Sequence, residues 1–112
     1  MANIYTNSKV DLTSTGETTV YTSPAASTTT NAATSIIKSI LVSEDSGNAD
    51  TITLTLTSGS DVFSLYKVKA VSANATVELL SAPLVVDASE ILKVTAATAN
   101  RLHVVASLLE VT

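Results

Sequence analysis

The chain has one histidine, His103, and no cysteine, so the side chains most often used for acid–base and nucleophilic chemistry are scarce. Fifteen serines and five aspartates leave a Ser–His–Asp arrangement open by count alone. Acyl transfer asks for more: a Gly-x-Ser-x-Gly nucleophile turn and backbone amides to hold an oxyanion. No such turn occurs, and three glycines are little material for one. His103 stands beside Val104 and Val105, with no second His or Cys for a metal centre, and reads as a strand-face histidine with a local hydrogen-bond partner. No catalytic residue, cofactor or metal site is expected.

The acidic residues Glu44, Asp45, Asp50 and Asp61 could gather around a calcium ion, which asks for six to eight oxygens. The run Asp45 to Asp50 does not have the spacing of an EF-hand loop and reads instead as a turn whose side chains bond their own backbone. Lys67 and Lys69 lie two apart, and Lys38 and Lys93 could join them across a sheet. Six Lys plus Arg against ten Asp plus Glu, for a net charge of -4, argue against a partner held through phosphates, so no nucleic acid is expected. Lysines on a sheet edge more often deter unwanted strand pairing. A sugar-binding module would stack its ligand on exposed aromatics, for which Phe63, Tyr66, Tyr5 and Tyr21 are the available rings, with no tryptophan. Asn74-Ala75-Thr76 has the pattern of a glycosylation acceptor but reads as the polar turn before a strand.

The elements that would position these residues are strands. Thr contributes 18 of the 112 residues and Val 13, and 46% of the chain is apolar, a β-branched mixture able to bury a core. Thr51 to Thr57 alternates Ile52, Leu54 and Leu56 with four threonines, which sets the aliphatics on one face and the hydroxyls on the other, open to water or a neighbouring chain. Ile36 to Val42 forms the strand before it, across the turn-forming SEDSGNAD. Ser58 to Asp61 is the turn into Val62 to Val71, completing a hairpin. In that second arm the apolar stripe changes sides, which a bulge near Leu65 or Tyr66 would reconcile. Further strands are expected at Thr76 to Leu80, Leu84 to Asp87, Ile91 to Thr95 and Leu102 to Val111, the last apolar on both faces. Ile4 to Leu12 and Thr18 to Thr22 add one or two more. The expected fold is all-β, an antiparallel β-sandwich of about seven to nine strands, jelly-roll-like or immunoglobulin-like. Residues 1–34 read as N-terminal strands or an arm with a Ser/Thr-rich loop (Ser23 to Ser35), and residues 35–112 as the sandwich core. No apolar run approaches the length of a membrane span, and the N-terminus lacks the apolar section of a signal peptide, so no membrane partner is expected.

From Ser39 onward the order of pieces resembles small β-sandwich virion proteins of tailed bacteriophages, particularly those of marine phages such as cyanophages. The residues that carry the resemblance are SILVSEDSGNADTITLTL, then VFSLYKVKAVSANATVELLSAPLVVDASEILKVTAATANRLHVVASLLEV. Within them Ala82-Pro83-Leu84 closes one strand, the acidic turn Ala88-Ser89-Glu90 precedes Ile91-Leu92, and a long last strand ends in Glu110. Relatives often carry Gly-Asp where this chain has Ser89-Glu90. The resemblance implies a structural role without a bond-making step: capsid decoration or cement acting by surface burial, in a virion assembled in the host bacterial cytoplasm. The implied partners are other virion proteins of the capsid or tail, with a homo-oligomer, such as a trimer, expected. A tail or tail-fibre accessory and a carbohydrate- or receptor-binding module are the alternatives. Ile4, Tyr5, Val10, Leu12, Val20 and Tyr21 are the candidate partner contacts, as residues of an arm that could add strands to a neighbouring subunit.

Overall fold

The computed structural model describes residues 3–25 and 34–111. Nine strands are found there and no helix: β1 (Asn3–Asp11), β2 (Thr18–Thr22), β3 (Thr34–Glu44), β4 (Asp50–Ser58), β5 (Asp61–Val71), β6 (Thr76–Glu78), β7 (Leu84–Asp87), β8 (Ile91–Ala96) and β9 (Leu102–Val111). The centre of the expected Ser/Thr-rich loop, 26–33, lies outside the described residues. Its two ends do not lie on the surface: Ser23 and Ser35 are buried.

Every pairing is antiparallel. One sheet runs β1-β9-β3, with β6 and β7 placed end to end along the far edge of β3, β6 against Leu41 to Ser43 and β7 against Thr34 to Ile37. The other runs β2-β8-β4-β5. With β6 and β7 taken as one interrupted strand, the chain forms nested ribbons: β1 with β9, β2 with β8, β3 with β6/β7, and β4 with β5. First pairs with last and second with second-last, and successive ribbons divide between two sheets. That winding is the jelly roll, and it decides between the two sandwich types expected.

The interruption between β6 and β7 has a local cause. Pro83 has no N–H to donate to a ladder, and the Glu78 carboxylate takes over part of the pairing. It accepts the Ile40 N–H at 2.7 Å and the Leu80 N–H at 3.2 Å, together with the Ser39 hydroxyl. Burial acts to raise the Glu78 pKa, but these donors outweigh it and hold the group below its ordinary value.

The core lies between the inward positions of the two sheets. From the first sheet come Ile37, Ile40, Val42, Leu102, Val104, Ala106 and Leu108; from the second come Val20, Ile52, Leu54, Leu92, Val94 and Ala96. Each set recurs at a period of two, as strands buried on one face require, except where the β3 bulge between Ile37 and Ser39 moves the next inward residue to Ile40. The hairpin expected at Ser58 to Asp61 is present: Ser58 pairs with Asp61 across a two-residue loop. Gly59 has φ 62°, and glycine at the first loop position is what the tight type II′ connection favours. In β5 an extra residue falls at Leu65 and a second between Tyr66 and Lys69, so Phe63, Tyr66 and Lys69 follow Leu56, Leu54 and Ile52 along the same side. The first bulge is the one the switched apolar stripe calls for. Near the second, Val68 has φ 52°, a left-handed conformation that β-branched residues rarely adopt.

Both N-terminal strands belong to this chain's own sheets. β1 runs along β9 from Asn3 opposite Val111 to Asp11 opposite His103, and β2 runs along β8. Leu12 and Val20 are core residues, while Val10 and Tyr21 pack against the core from its rim. Of the six candidate contacts, only Ile4 and Tyr5 are well exposed, at 50% and 74%.

Candidate interaction surface

His103 faces outward from β9 between two carboxylates. Its Nε2 lies 3.1 Å from Asp11 Oδ1 on β1, and its Nδ1 lies 3.4 Å from Asp45 Oδ2 in the loop after β3. With both ring nitrogens engaged on opposite sides, the imidazole is held as a clip between an edge strand and a loop. A shallow hollow of 360 Å³ lies beside it, lined by Lys9, Val10, Asp11, His103, Val104 and Val105.

The acidic residues of the β3–β4 loop do not converge. Glu44 is buried, and its carboxylate accepts the N–H groups of Ser46 at 2.9 Å and Gly47 at 3.0 Å and the Ser46 hydroxyl in its own loop, and the N–H of Asn74 at 3.0 Å in the β5–β6 connection. Burial works to raise its pKa, yet this ring of donors brings it down to about 2. Asp50 accepts the N–H of Thr51 at 2.8 Å and of Thr98 at 3.2 Å. Each of these two carboxylates therefore organises backbone, as an Asp/Ser/Gly/Asn turn does. Among the described residues, no group of three or more His, Asp or Glu is placed to hold a metal ion.

At the opposite end of the sandwich a polar chain joins the two sheets. Ser23 Oγ lies 3.0 Å from Ser35 Oγ, which lies 2.7 Å from the Tyr21 hydroxyl, and Tyr21 donates to Glu110 Oε2 at 2.5 Å. Burial, together with the Glu110 carboxylate, pushes the Tyr21 phenol up to about 12. With both serines buried, this network reads as a tie between β2, β3 and β9.

The two outer faces of the sandwich differ in chemistry. On the second sheet, Thr53, Thr55 and Thr57 of β4 stand opposite Thr95, Lys93 and Ile91 of β8. This is the expected hydroxyl face, but not all of it is wet. Thr55 is buried, and the hydroxyls of Thr55 and Thr57 are shielded without a hydrogen-bond partner. Lys93 pairs with Glu17 at 3.5 Å. Lys38 lies on β3, in the other sheet from Lys67, Lys69 and Lys93, so the four lysines do not form one cluster.

The outer face of the first sheet carries an apolar row across four strands. Tyr5 of β1 stands opposite Leu109 of β9, Leu109 opposite Ile36 of β3, and Ile36 opposite Val85 of β7. Tyr5 and Val85 are 74% and 53% exposed. A polar row of Asn7, Ser107 and Ser39 follows, and beyond it Val105 and Leu41 stand opposite each other, both exposed. The sequence announces part of this face, since a last strand apolar on both sides either lies centrally or covers a partner surface. β9 does lie centrally, between β1 and β3, and still turns Val105 and Leu109 outward. Ile36, Leu41 and Val85 are missed by sequence reasoning, because which side of their strands faces out depends on pairing.

A second apolar surface is the free edge of β5. Among the described residues this strand pairs only with β4, and it carries Val62, Phe63, Leu65 and Val68, each more than a third exposed. Phe63 is on the core side, opposite Leu56, and is nevertheless 54% exposed. Tyr66 is half-buried, with the Lys69 ammonium 5.6 Å from its ring centroid.

Set beside known protein families, curated proteins and solved structures, the chain matches none of them. The fold and these surfaces are therefore what any functional reading rests on.

Proposed function

We propose that this chain is a structural subunit of a tailed-phage virion, decorating or cementing the capsid shell by surface burial without a bond-making step. The observation that carries the reading is the row Tyr5–Leu109–Ile36–Val85, an apolar band across the outer face of one sheet where a soluble monomer would present polar side chains. Its jelly-roll framework also occurs in viral capsid domains, though lectins and cupins share it, so fold supports the setting and the band supports the mode of action. Tyr5 joins the sequence expectation to the surface, being both a candidate contact and the most exposed large apolar residue of the row.

The test has two parts. Mass spectrometry of purified particles gives the stoichiometry against the major shell protein; a copy number comparable with the shell's supports decoration, and a dozen-fold symmetry or fewer copies moves the protein to the portal or tail. Attachment of the purified chain to shells lacking it is then measured for Val85→Asp and Tyr5→Asp. Both substitutions are at exposed positions and leave the core intact, so loss of attachment with an unchanged circular dichroism spectrum is expected. Attachment at wild-type strength by both variants would refute the reading of this face.

A further inference from the structure

The distribution of side chains along the free edge of β5 has a polarity of its own. Asp61 stands at its start, Val62, Phe63 and Leu65 follow, and Lys67 and Lys69 come after them. The acid and the two lysines are exposed or half-exposed, and no salt bridge within the described residues engages them. An edge this long that shows apolar side chains is a template for another strand. The usual protections are present on only half of it. Both bulges, the first at Leu65, the left-handed Val68 and the lysines fall from Leu65 onward, while Asp61 to Ser64 pairs with β4 in unbroken register and, among the described residues, has its other side open.

We propose that β5 is a self-association edge, on which a second copy of this chain adds its own β5 antiparallel about a two-fold axis, joining two four-stranded sheets into one. Charge selects this partner and orientation. An antiparallel approach brings Asp61 of each copy toward Lys67 and Lys69 of the other, twice by symmetry, with the apolar Val62–Leu65 segments meeting at the axis. A parallel approach sets lysines on lysines and acid on acid and is repelled. The lysines thus act against wrong partners and for one right one, which is how charged residues at a pairing edge give specificity. A two-fold contact of this kind is isologous and closes at two copies. It uses a surface separate from the band on the first sheet and stands or falls independently of the virion reading.

Sedimentation equilibrium of the full chain, with circular dichroism to verify folding, tests it. Wild type is expected as a dimer of about 23 kDa, twice the 11.5 kDa chain. Phe63→Glu is expected to weaken the dimer on the order of a hundredfold, and Asp61→Lys about tenfold through two like-charged contacts. The charge exchange Asp61→Lys with Lys67→Glu and Lys69→Glu should restore association to within a fewfold of wild type, a rescue that loss of fold cannot produce. A wild-type monomer at the highest soluble concentration would overturn the proposal, as would a trimer. So would a dimer indifferent to Phe63→Glu, or one that the charge exchange fails to rescue.

Discussion

Replacing Tyr21 with Phe removes one oxygen and nothing else from the joint between β2 and the sheet that carries β9. In the wild type the phenol donates to Glu110 at 2.5 Å and stands 2.7 Å from the Ser35 hydroxyl. Ser35 keeps a second partner in Ser23 at 3.0 Å, so the larger loss falls on the Glu110 carboxylate. A hydrogen bond to an ionised group contributes about 1.5–3 kcal/mol, and partial access of water to this site places Tyr21→Phe at the lower end, about 1.5–2 kcal/mol. For a domain of this size that lowers Tm by about 5–8 °C. The same group gives a pH signature. The phenol's pKa rises on folding from 10.0 to about 12, so the folded state holds its proton more tightly than the unfolded chain does. Its contribution is fully present below pH 10 and is lost as pH rises toward 12. Two pKa units would correspond to about 2.7 kcal/mol; solvent screening at a partly exposed ring reduces that to about 1 kcal/mol. Urea unfolding of both proteins from neutral pH to pH 12 isolates the effect, because the lysines titrate equally in each and cancel in the difference. The wild type's advantage should shrink by about 1 kcal/mol above pH 10. A difference that stays flat across that range, or a variant as stable as wild type at pH 7, would refute the assignment of this network and of β2 as a locked element.

Three further outcomes follow from local geometry. Glu44 has its pKa lowered on folding from 4.5 to about 2, so its stabilising effect is present above the unfolded value and lost as pH falls toward 2; Glu44→Gln should abolish that part of the acid-unfolding profile while destabilising the protein at neutral pH. Ser89 sits in the Asp87–Glu90 turn at φ 65°, where Ser89→Gly relieves about 1 kcal/mol of left-handed strain against a smaller entropic loss, for a net gain of about 0.5 kcal/mol in chemical denaturation. His103→Ala removes the imidazole from between two exposed carboxylates and should cost less than about 1 kcal/mol in chemical denaturation; a larger loss would mean the clip between β1 and the β3–β4 loop is misread.

The strands are legible in the sequence because their signal is local. Thr51 to Thr57 shows its face by alternation, and the structure buries Ile52 and Leu54 as that alternation requires. The turn at Gly59 and the bulge at Leu65 are legible for the same reason, since each follows from residues within a few positions of it. Ser89 is a case where local sequence hides a backbone demand: the position needs a positive φ, which glycine would have advertised and serine does not. The ends of the Ser/Thr-rich stretch show the opposite error. Ser23 and Ser35 look like loop surface by composition, but their hydroxyls satisfy each other and Tyr21 inside the sandwich, and only three-dimensional pairing makes that burial affordable.

Surfaces are harder to read than strands because being at an edge is a property of the whole winding. β5 and β9 look alike in sequence, two long apolar arms of 11 and 10 residues with polar residues scattered through them. Nothing within either arm says that β9 will be covered on both sides by β1 and β3 while β5, among the described residues, keeps one side free. The jelly-roll nesting decides it: the last strand must lie between the first and third, and the second arm of the innermost hairpin must end the other sheet. Once that is known, the same side chains change meaning. Val104 and Leu108 are core, Val105 and Leu109 become an outer band, and Phe63 with Val62 becomes an uncovered edge rather than half of a buried hairpin. The residues open to partners are thus the ones whose apolar character the core does not use, and they are identified by subtracting the topology from the sequence.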